Sequence, residues 1–169
     1  KMSSKNIKTN VARFLQKKGV KFDLIPYEVD ENDLGAEHVA ESLSENVEQV
    51  FKTIVLHGDK SGYIVGVLPG NHEIDLKKLA RVSGNKKCEP LPLKDLLPTT
   101  GYIRGGCSPI GMKKKFQTYI HTTVNSFPYV FVSAGVRGVQ LKISPVDLIE
   151  QTEAVVADIV FEEKNESII

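Results

Sequence analysis

The chain has 169 residues, with 22 Lys and Arg against 21 Asp and Glu, a formal charge of +1 and 41% hydrophobic residues. A chain of this length buries roughly 70% of the surface that its unfolded form exposes, so it can fold without disulfides or a metal. Uncharged stretches fall short of the ~20 apolar residues of a membrane helix, and the polar start SSKNIKTN lacks the apolar core of a signal peptide. These features exclude a transmembrane helix and predict a cytoplasmic protein.

The first half of the chain predicts two helices and three strands. Apolar spacing indicates a helix over residues 6–18, with Asn6 as its cap and Gly19 beyond its end. The segment KFDLIPYEV alternates like a strand, and its proline predicts an irregular or edge position near the end of that strand. A second helix is expected from Ala36 to Leu43. The runs FKTIVLHG and YIVGVLP, separated by a short turn, predict a hairpin with buried faces.

The second half begins with two more predicted helices, from Asp75 to Val82 and from Leu93 to Leu97, the latter bounded by prolines. A glycine-rich stretch leads into the strand candidates TYIHTT, YVFVSAG and VQLKIS, and Ser144 starts a further helix with proline in its first turn. The segment from Ala154 to Phe161 fits either a strand or a helix. Because helices and strands interleave without regular βαβ units or a linker, the sequence predicts one α+β domain with a mixed sheet.

Charge is distributed unevenly along the chain. Residues 22–51 carry nine acids and no Lys or Arg, whereas residues 96–146 carry six bases and no acid. Such asymmetry indicates a polyanionic or an oriented partner, although solvated surfaces also collect like charge.

Two segments are candidates for binding an anion. The loop GGCSPIGMKK can bring backbone N–H groups close to an anion, with lysines following. It is not a P-loop, because Met112 stands where lysine is required; the alternative is a tight turn with solvated lysines. Lys52 precedes an apolar strand, where an ammonium group can bind a phosphate or carbonyl oxygen or simply lie at a strand edge.

Cysteine and histidine give weaker signals. Cys88 and Cys107 form no CxxC pair, so each is expected to be a free thiol. Cys107 lies near Arg104 but has no neighbouring base that would make it a nucleophile. The four histidines show no ligand spacing, and His121 is more simply a packed residue. The sequence therefore predicts no metal and no cofactor.

Taken together and in order, the segments PYEVD, VFKT, DLKKLA, TGYIRGGCSPIGMKK, TYI and VSAGVRG resemble the bacterial YbaK/EbsC family of aminoacyl-tRNA deacylases, relatives of the editing domain of prolyl-tRNA synthetase. The resemblance spans about residues 5–160 and leaves 1–4 and 161–169 as terminal extensions. It implies a barrel-like mixed sheet surrounded by helices.

The resemblance also implies an activity, the hydrolysis in trans of cysteine mischarged onto proline tRNA, by attack of the cysteinyl thiol on its own ester. An alanine-specific deacylase and a non-catalytic tRNA- or synthetase-binding module are the alternatives. The implied partners are the acceptor end of tRNA and prolyl-tRNA synthetase, with no DNA and no membrane.

The resemblance, the glycine-rich loop and the charge pattern together predict residues for three roles. The catalytic set is Lys52, Gly105 and Gly106. The substrate-binding set is Tyr27, Thr53, Ser108, Ser133 and Gly135. The candidates for tRNA contact are Arg104, Lys113, Lys114, Lys115 and Arg137.

This chain departs from the family pattern in two places. Gln140 stands where some members have Asp, which argues against an acidic role there. Cys107 stands where the loop often has Ile, which argues against a catalytic thiol.

Overall fold

The computed structural model describes residues 7–162, so Asn6 and most of the predicted terminal extensions lie outside the described residues. Within that range the helices are α1 Asn10–Lys17, α2 Ala36–Leu43, α3 Leu76–Ser83, α4 Leu93–Thr100 and α5 Pro145–Thr152. The strands are β1 Asp23–Pro26, β2 Phe51–Gly58, β3 Gly62–Pro69, β4 Cys88–Pro90, β5 Gln117–His121, β6 Val130–Ser133, β7 Val139–Ile143 and β8 Val155–Ala157. None of these helices has the length and apolar character needed to cross a bilayer.

Side-chain caps explain where three helices begin. The Thr9 hydroxyl accepts from the N–H of Ala12, so α1 starts after Thr9 and not at the predicted Asn6. The Asp75 carboxylate accepts from the first backbone N–H groups of α3. The Ser144 hydroxyl accepts from the N–H of Asp147 at the start of α5. Each cap satisfies a donor that a helix leaves unpaired at its N-terminus.

Three elements differ from their predicted form. Helix α4 continues through Pro98 to Thr100, whose hydroxyl donates to the Leu96 carbonyl over 2.7 Å. The short strand β4, which pairs with β2, has no sequence signal because three residues ending in proline are too few for a pattern. The ambiguous segment after Ala154 forms the strand β8.

The strands form two sheets, with orders β1-β7-β6 and β4-β2-β3-β5-β8. The predicted hairpin is confirmed as the antiparallel pair β2–β3, and β1 is confirmed at an edge. Because β3–β5 and β5–β8 are parallel, the larger sheet is mixed. The predicted α+β fold with a mixed sheet is thus confirmed, but over residues 7–162 the sheets do not close into a barrel.

The hairpin is buried on both faces because its side chains alternate in direction. Val55 and Val67 pack into the larger apolar cluster, together with residues of α1, α5 and the smaller sheet. Leu56 and Leu68 point the other way and pack under α3 with Ile159. The five-stranded sheet is therefore the central layer of the fold.

A parallel bridge between Val50 and Phe131 joins the two sheets just before β2. The Gln49 side chain strengthens this seam by donating to the Tyr129 carbonyl over 2.9 Å. Residues that follow the bridge on each strand run side by side, which places the start of β2 beside the end of β6.

Gly70, just after β3, closes the same region from the other side. Its N–H donates to the Val50 carbonyl over 2.8 Å. A Cβ at this position would lie 2.0 Å from the Cβ of Ala36 and 3.2 Å from the Val50 oxygen. The N-terminus of α2 can approach the seam only because residue 70 lacks a side chain.

We expect Gly70→Ala to lower the free energy of unfolding by about 1–3 kcal/mol, because the added methyl collides with Ala36. Ala36→Gly alone should cost about 0.5–1 kcal/mol through helix propensity. Since the second change removes the colliding methyl, the double variant should be more stable than the sum of the two costs predicts. Urea titrations of the four proteins measure this coupling, and strict additivity would contradict the proposed contact.

Candidate functional site

The seam between the sheets holds a small pocket of about 130 Å³. The bridge and the register of β6 with β7 bring together five residues singled out in the sequence: Lys52, Thr53 and Ser133 from strands, Tyr27 after β1, and Gly105 from the glycine-rich loop. The remaining lining residues are Leu34, Ala36, Val39, Val50, Phe51, Cys107 and Gln140.

Among the residues that the structure describes, Lys52 supplies the one charge in the pocket lining. Its half-buried ammonium group donates to the Gly70 carbonyl over 3.2 Å, which leaves further N–H groups for a ligand. Burial lowers the pKa of Lys52 from its ordinary value of 10.5, and the charges of Glu73 and Glu37 oppose that shift. These acids do not line the pocket, so the ammonium group faces no competing carboxylate there.

Two pocket side chains hold buried oxygens without partners. Within residues 7–162, neither Thr53 Oγ1 nor Gln140 Oε1 makes a hydrogen bond. Ser133 lies opposite Gln140 in the β6–β7 ladder, and its hydroxyl accepts from the N–H of Gly135 over 3.1 Å. That bond orients the Ser133 oxygen and leaves its proton for a ligand.

The glycine-rich loop offers one backbone donor, not two. Gly105 lines the pocket at φ +83°, and its N–H meets no acceptor among the described residues. The N–H of Gly106 instead donates to the Ile103 carbonyl over 2.9 Å within the turn. Of the two N–H groups expected to bind an anion, only that of Gly105 is therefore available among the described residues.

The loop rests on Tyr102 and Asn10. The Tyr102 hydroxyl donates to the Ile110 carbonyl over 2.5 Å, and Asn10 donates to that hydroxyl and to the Gly111 carbonyl. Burial raises the pKa of Tyr102 to about 12, so the phenol remains a donor at neutral pH. Helix α1 thereby supports the loop from beneath.

Ser108 and Gly135, both expected to bind substrate, lie outside the pocket lining. Ser108 is fully buried, and its hydroxyl accepts from the N–H of Ile110. Gly135 adopts φ +99°, and a Cβ there would lie 2.7 Å from Asn10 Oδ1. Gly135 nevertheless contacts a lining residue, because its N–H donates to Ser133 Oγ.

Cys107 lines the pocket, but burial raises its pKa to about 12, so the thiol stays protonated at neutral pH. This state agrees with the expectation that Cys107 is not a nucleophile, because the thiolate is the reactive form. Both cysteines are free thiols.

The basic residues differ in how firmly they are held. Arg137 donates to the Arg104 carbonyl over 2.8 Å and to Glu31 over 2.6 Å, so it ties the loop to the acidic segment. Lys113 reaches the Pro98 carbonyl, and Lys115 pairs with Glu153. The exposed side chains of Arg104 and Lys114 make no hydrogen bond or ion pair within the described range and are the freest of the five tRNA-contact candidates.

Histidines lie away from the pocket. His121 is buried, and its Nδ1 accepts from the Ile159 N–H over 3.3 Å. His72 pairs with Glu48 over 2.9 Å. Across residues 7–162 no three His, Cys, Asp or Glu side chains converge in a way that would hold a metal ion.

Sequence reasoning missed the apolar wall that α2 and Leu34 give the pocket, and it noted Gln140 only as a departure from a family pattern. Gln140 gave no local signal of its own, since it and Lys142 are the polar residues of the alternating strand VQLKI. Its direction into the pocket depends on pairing with Ser133, which no local pattern reveals.

Known proteins are similar to this chain in sequence. Residues 30–150 match the family model of the aminoacyl-tRNA editing domain. A protein of Enterococcus faecalis, EbsC, described as a proposed Cys-tRNA(Pro)/Cys-tRNA(Cys) deacylase, is 48% identical over 156 residues, which cover 92% of this chain and 95% of EbsC. The uncharacterized protein YwhH of Bacillus subtilis is 25% identical over 88% of this chain and 90% of its own length.

A solved structure supports the fold. A protein described as a proposed trans-editing enzyme for prolyl-tRNA synthetase superposes with a TM-score of 0.79 at 22% identity, covering 93% of this chain and all of the other.

The depressed pKa of Lys52 predicts a pH-dependent stability. Between the folded-state pKa and 10.5 the unfolded chain binds more protons at Lys52, so wild-type stability should rise with pH relative to Lys52→Met. Urea unfolding of both proteins between pH 7 and 10.5 measures the difference, in which all other titrating groups cancel. A constant difference would mean that burial does not perturb this ammonium group.

Proposed function

The chain belongs to the aminoacyl-tRNA editing domain family, and on that premise we propose that it deacylates proline tRNA mischarged with cysteine, acting in trans. The observation that carries the proposal is the pocket itself, which is small and holds Lys52 among neutral donors and acceptors. The name of EbsC supports cysteine as the amino acid removed.

The pocket suits an ester that needs little further activation. An aminoacyl ester is already reactive, so an enzyme accelerates its cleavage mainly by orienting the carbonyl and stabilising the developing negative charge. The Lys52 ammonium, the Gly105 N–H and the Ser133 hydroxyl are available donors. We assign Lys52 and Gly105 to the carbonyl oxygen, with Tyr27 and Thr53 enclosing the amino acid.

The nucleophile in this proposal is the substrate. The cysteinyl sulfur bonds to the ester carbonyl carbon, the bond from that carbon to the ribose oxygen breaks, and the thiol proton ends on the ribose oxygen. The products are uncharged tRNA and a cyclic thioester, which water then opens to cysteine. The pocket lining, which pairs no nucleophile with a histidine or carboxylate base, is compatible with this route.

Selectivity then has two sources. Pocket size separates amino acids that differ by one methylene only about 10- to 200-fold. A thiol-dependent step adds chemical selection, because alanine and proline lack the attacking group. We expect the protein to act in the cytoplasm beside prolyl-tRNA synthetase, as the description of its structural relative suggests.

We expect Lys52→Ala to slow hydrolysis of cysteinyl-tRNA(Pro) by a factor on the order of 10²–10³, since it removes the charged donor to the carbonyl. Lys60→Ala, an exposed change in the β2–β3 turn, is the matched control and should keep the wild-type rate. The measurement is release of labelled amino acid from tRNA(Pro) charged with Cys, Ala or Ser.

Each outcome of that assay selects one function. Faster hydrolysis of the cysteinyl ester supports the proposal, whereas preference for the alanyl ester would identify an alanine-specific deacylase. An inactive wild type that still binds tRNA would identify a non-catalytic module. Equal rates for wild type and Lys52→Ala would remove Lys52 from the mechanism.

The tRNA backbone should meet the exposed cations at the two ends of the glycine-rich loop. Arg104 precedes Gly105 directly, and Lys114 follows the same loop, so phosphates near the acceptor end would lie over both side chains. Phosphate contacts release counterions and therefore weaken steeply as salt rises.

We expect Arg104→Ala/Lys114→Ala to weaken tRNA binding and to flatten the plot of log Kobs against log salt by about 0.7–0.9 for each phosphate that the protein no longer neutralises. Lys60→Ala again serves as the control. Fluorescence anisotropy with uncharged tRNA(Pro), titrated from low to moderate salt, would show the change. An unaltered slope would place the tRNA backbone on another surface.

A further inference from the structure

Gln140 is a buried polar residue whose side-chain oxygen receives no hydrogen bond from the described part of the protein. The residue is 5% exposed and belongs to β7, the central strand of its sheet. Gln140 lines the pocket, and its buried side-chain oxygen has no hydrogen-bond partner among the described residues. An unpaired buried acceptor costs about 1–3 kcal/mol, so its retention calls for a role that the apo fold does not supply.

The neighbouring groups do not satisfy Gln140. The Lys52 ammonium donates to the Gly70 carbonyl, and neither Lys52 nor the Ser133 hydroxyl donates to the Gln140 oxygen. Thr53 Oγ1 is the other buried side-chain oxygen of the pocket lining that makes no hydrogen bond among the described residues, and its hydroxyl can both donate and accept. Two buried oxygens of the pocket-lining residues can therefore accept hydrogen bonds from a ligand.

An aminoacyl ester has one group that matches this need. Its carbonyl oxygen only accepts hydrogen bonds, and its thiol is a weak donor. Its α-ammonium group is a strong donor with three N–H groups and no acceptor, the complement of two buried oxygens.

We propose that Gln140, with the Thr53 hydroxyl, binds the α-ammonium group of the aminoacyl ester, an inference that rests on the proposed deacylase function. The ester carbonyl then faces Lys52 and Gly105, because the carbonyl needs hydrogen-bond donors whereas the α-ammonium group needs acceptors. Gln140 thus determines the orientation in which the aminoacyl ester binds.

The neutral amide suits a pocket that already contains Lys52. A carboxylate at residue 140 would attract the Lys52 ammonium as strongly as it attracts the ligand, and the two would neutralise each other. An amide oxygen accepts from the α-ammonium group without pairing with Lys52. Lys52 therefore remains free to donate to the ester carbonyl, while Gln140 accepts from the α-ammonium group.

Two matched ligands test the assignment without requiring turnover. Both are amide-linked adenosine analogues that resist hydrolysis, one bearing cysteine and the other 3-mercaptopropionic acid, which lacks only the amino group. We expect the wild type to bind the cysteinyl analogue about 10- to 100-fold more tightly by calorimetry, and Gln140→Met to bind the two within about threefold.

Three further variants separate recognition from folding. Thr53→Val should reduce the preference for the cysteinyl analogue in part. Thr123→Val removes the third buried oxygen without a partner found among the described residues, one that lies outside the pocket, and should leave the preference unchanged. Gln140→Glu keeps an acceptor of similar size and should retain a preference for the cysteinyl analogue, smaller than that of the wild type because its carboxylate also attracts Lys52. A preference kept in Gln140→Glu and lost in Gln140→Met shows that the methionine variant acts through the lost oxygen.

The outcomes distinguish this inference from the function on which it rests. Equal binding of the two analogues by the wild type, or an undiminished preference in Gln140→Met, overturns the assignment of Gln140. A wild type that prefers the cysteinyl analogue through Gln140 but does not hydrolyse cysteinyl-tRNA(Pro) supports the ammonium site and rejects the deacylase.

Discussion

The parallel bridge between Val50 and Phe131 is the constraint on which the pocket depends. It fastens the start of β2 to β6, so Lys52 and Thr53 run beside Ser133, and the β6–β7 ladder adds Gln140. Gly70 then closes the seam, because its N–H binds the Val50 carbonyl while its own carbonyl accepts from Lys52. One short contact between two sheets thus sets the positions of four polar side chains.

The electrostatic arrangement follows from that geometry. Burial disfavours the charge on Lys52, and the supporting acids, Glu37 and Glu73, act on it without lining the pocket. Glu37 and Glu73 therefore stabilise the positive charge of Lys52 from outside the pocket, and the ammonium group remains available to a ligand. A directly paired carboxylate would have stabilised the charge more strongly and would have occupied the same donor.

The sequence alone predicted much of the fold where local signals are strong. The bounds of α2 and of the β2–β3 hairpin were predicted closely, because periodicity and turn residues act within a few positions. The starts of α3 and α5 at Asp75 and Ser144 follow from capping chemistry. The missed β4 and the passage of α4 through Pro98 depend on tertiary contacts that outweigh local preference.

The site was less predictable than the fold. Lys52, Thr53, Tyr27, Gly105 and Ser133 do meet in one pocket, whereas Ser108 turns into the core and the Gly106 N–H is used within its own turn. Those differences depend on individual backbone angles in the loop. The role inferred for Gln140 needed both the strand register and a count of unsatisfied atoms, and neither quantity is local in sequence. Strand β1, which pairs only with β7 among the described strands, adds a consequence for biosynthesis. A ribosome must release the chain through β7 before β1 finds its partner, so the nascent protein carries no assembled pocket until that strand has emerged.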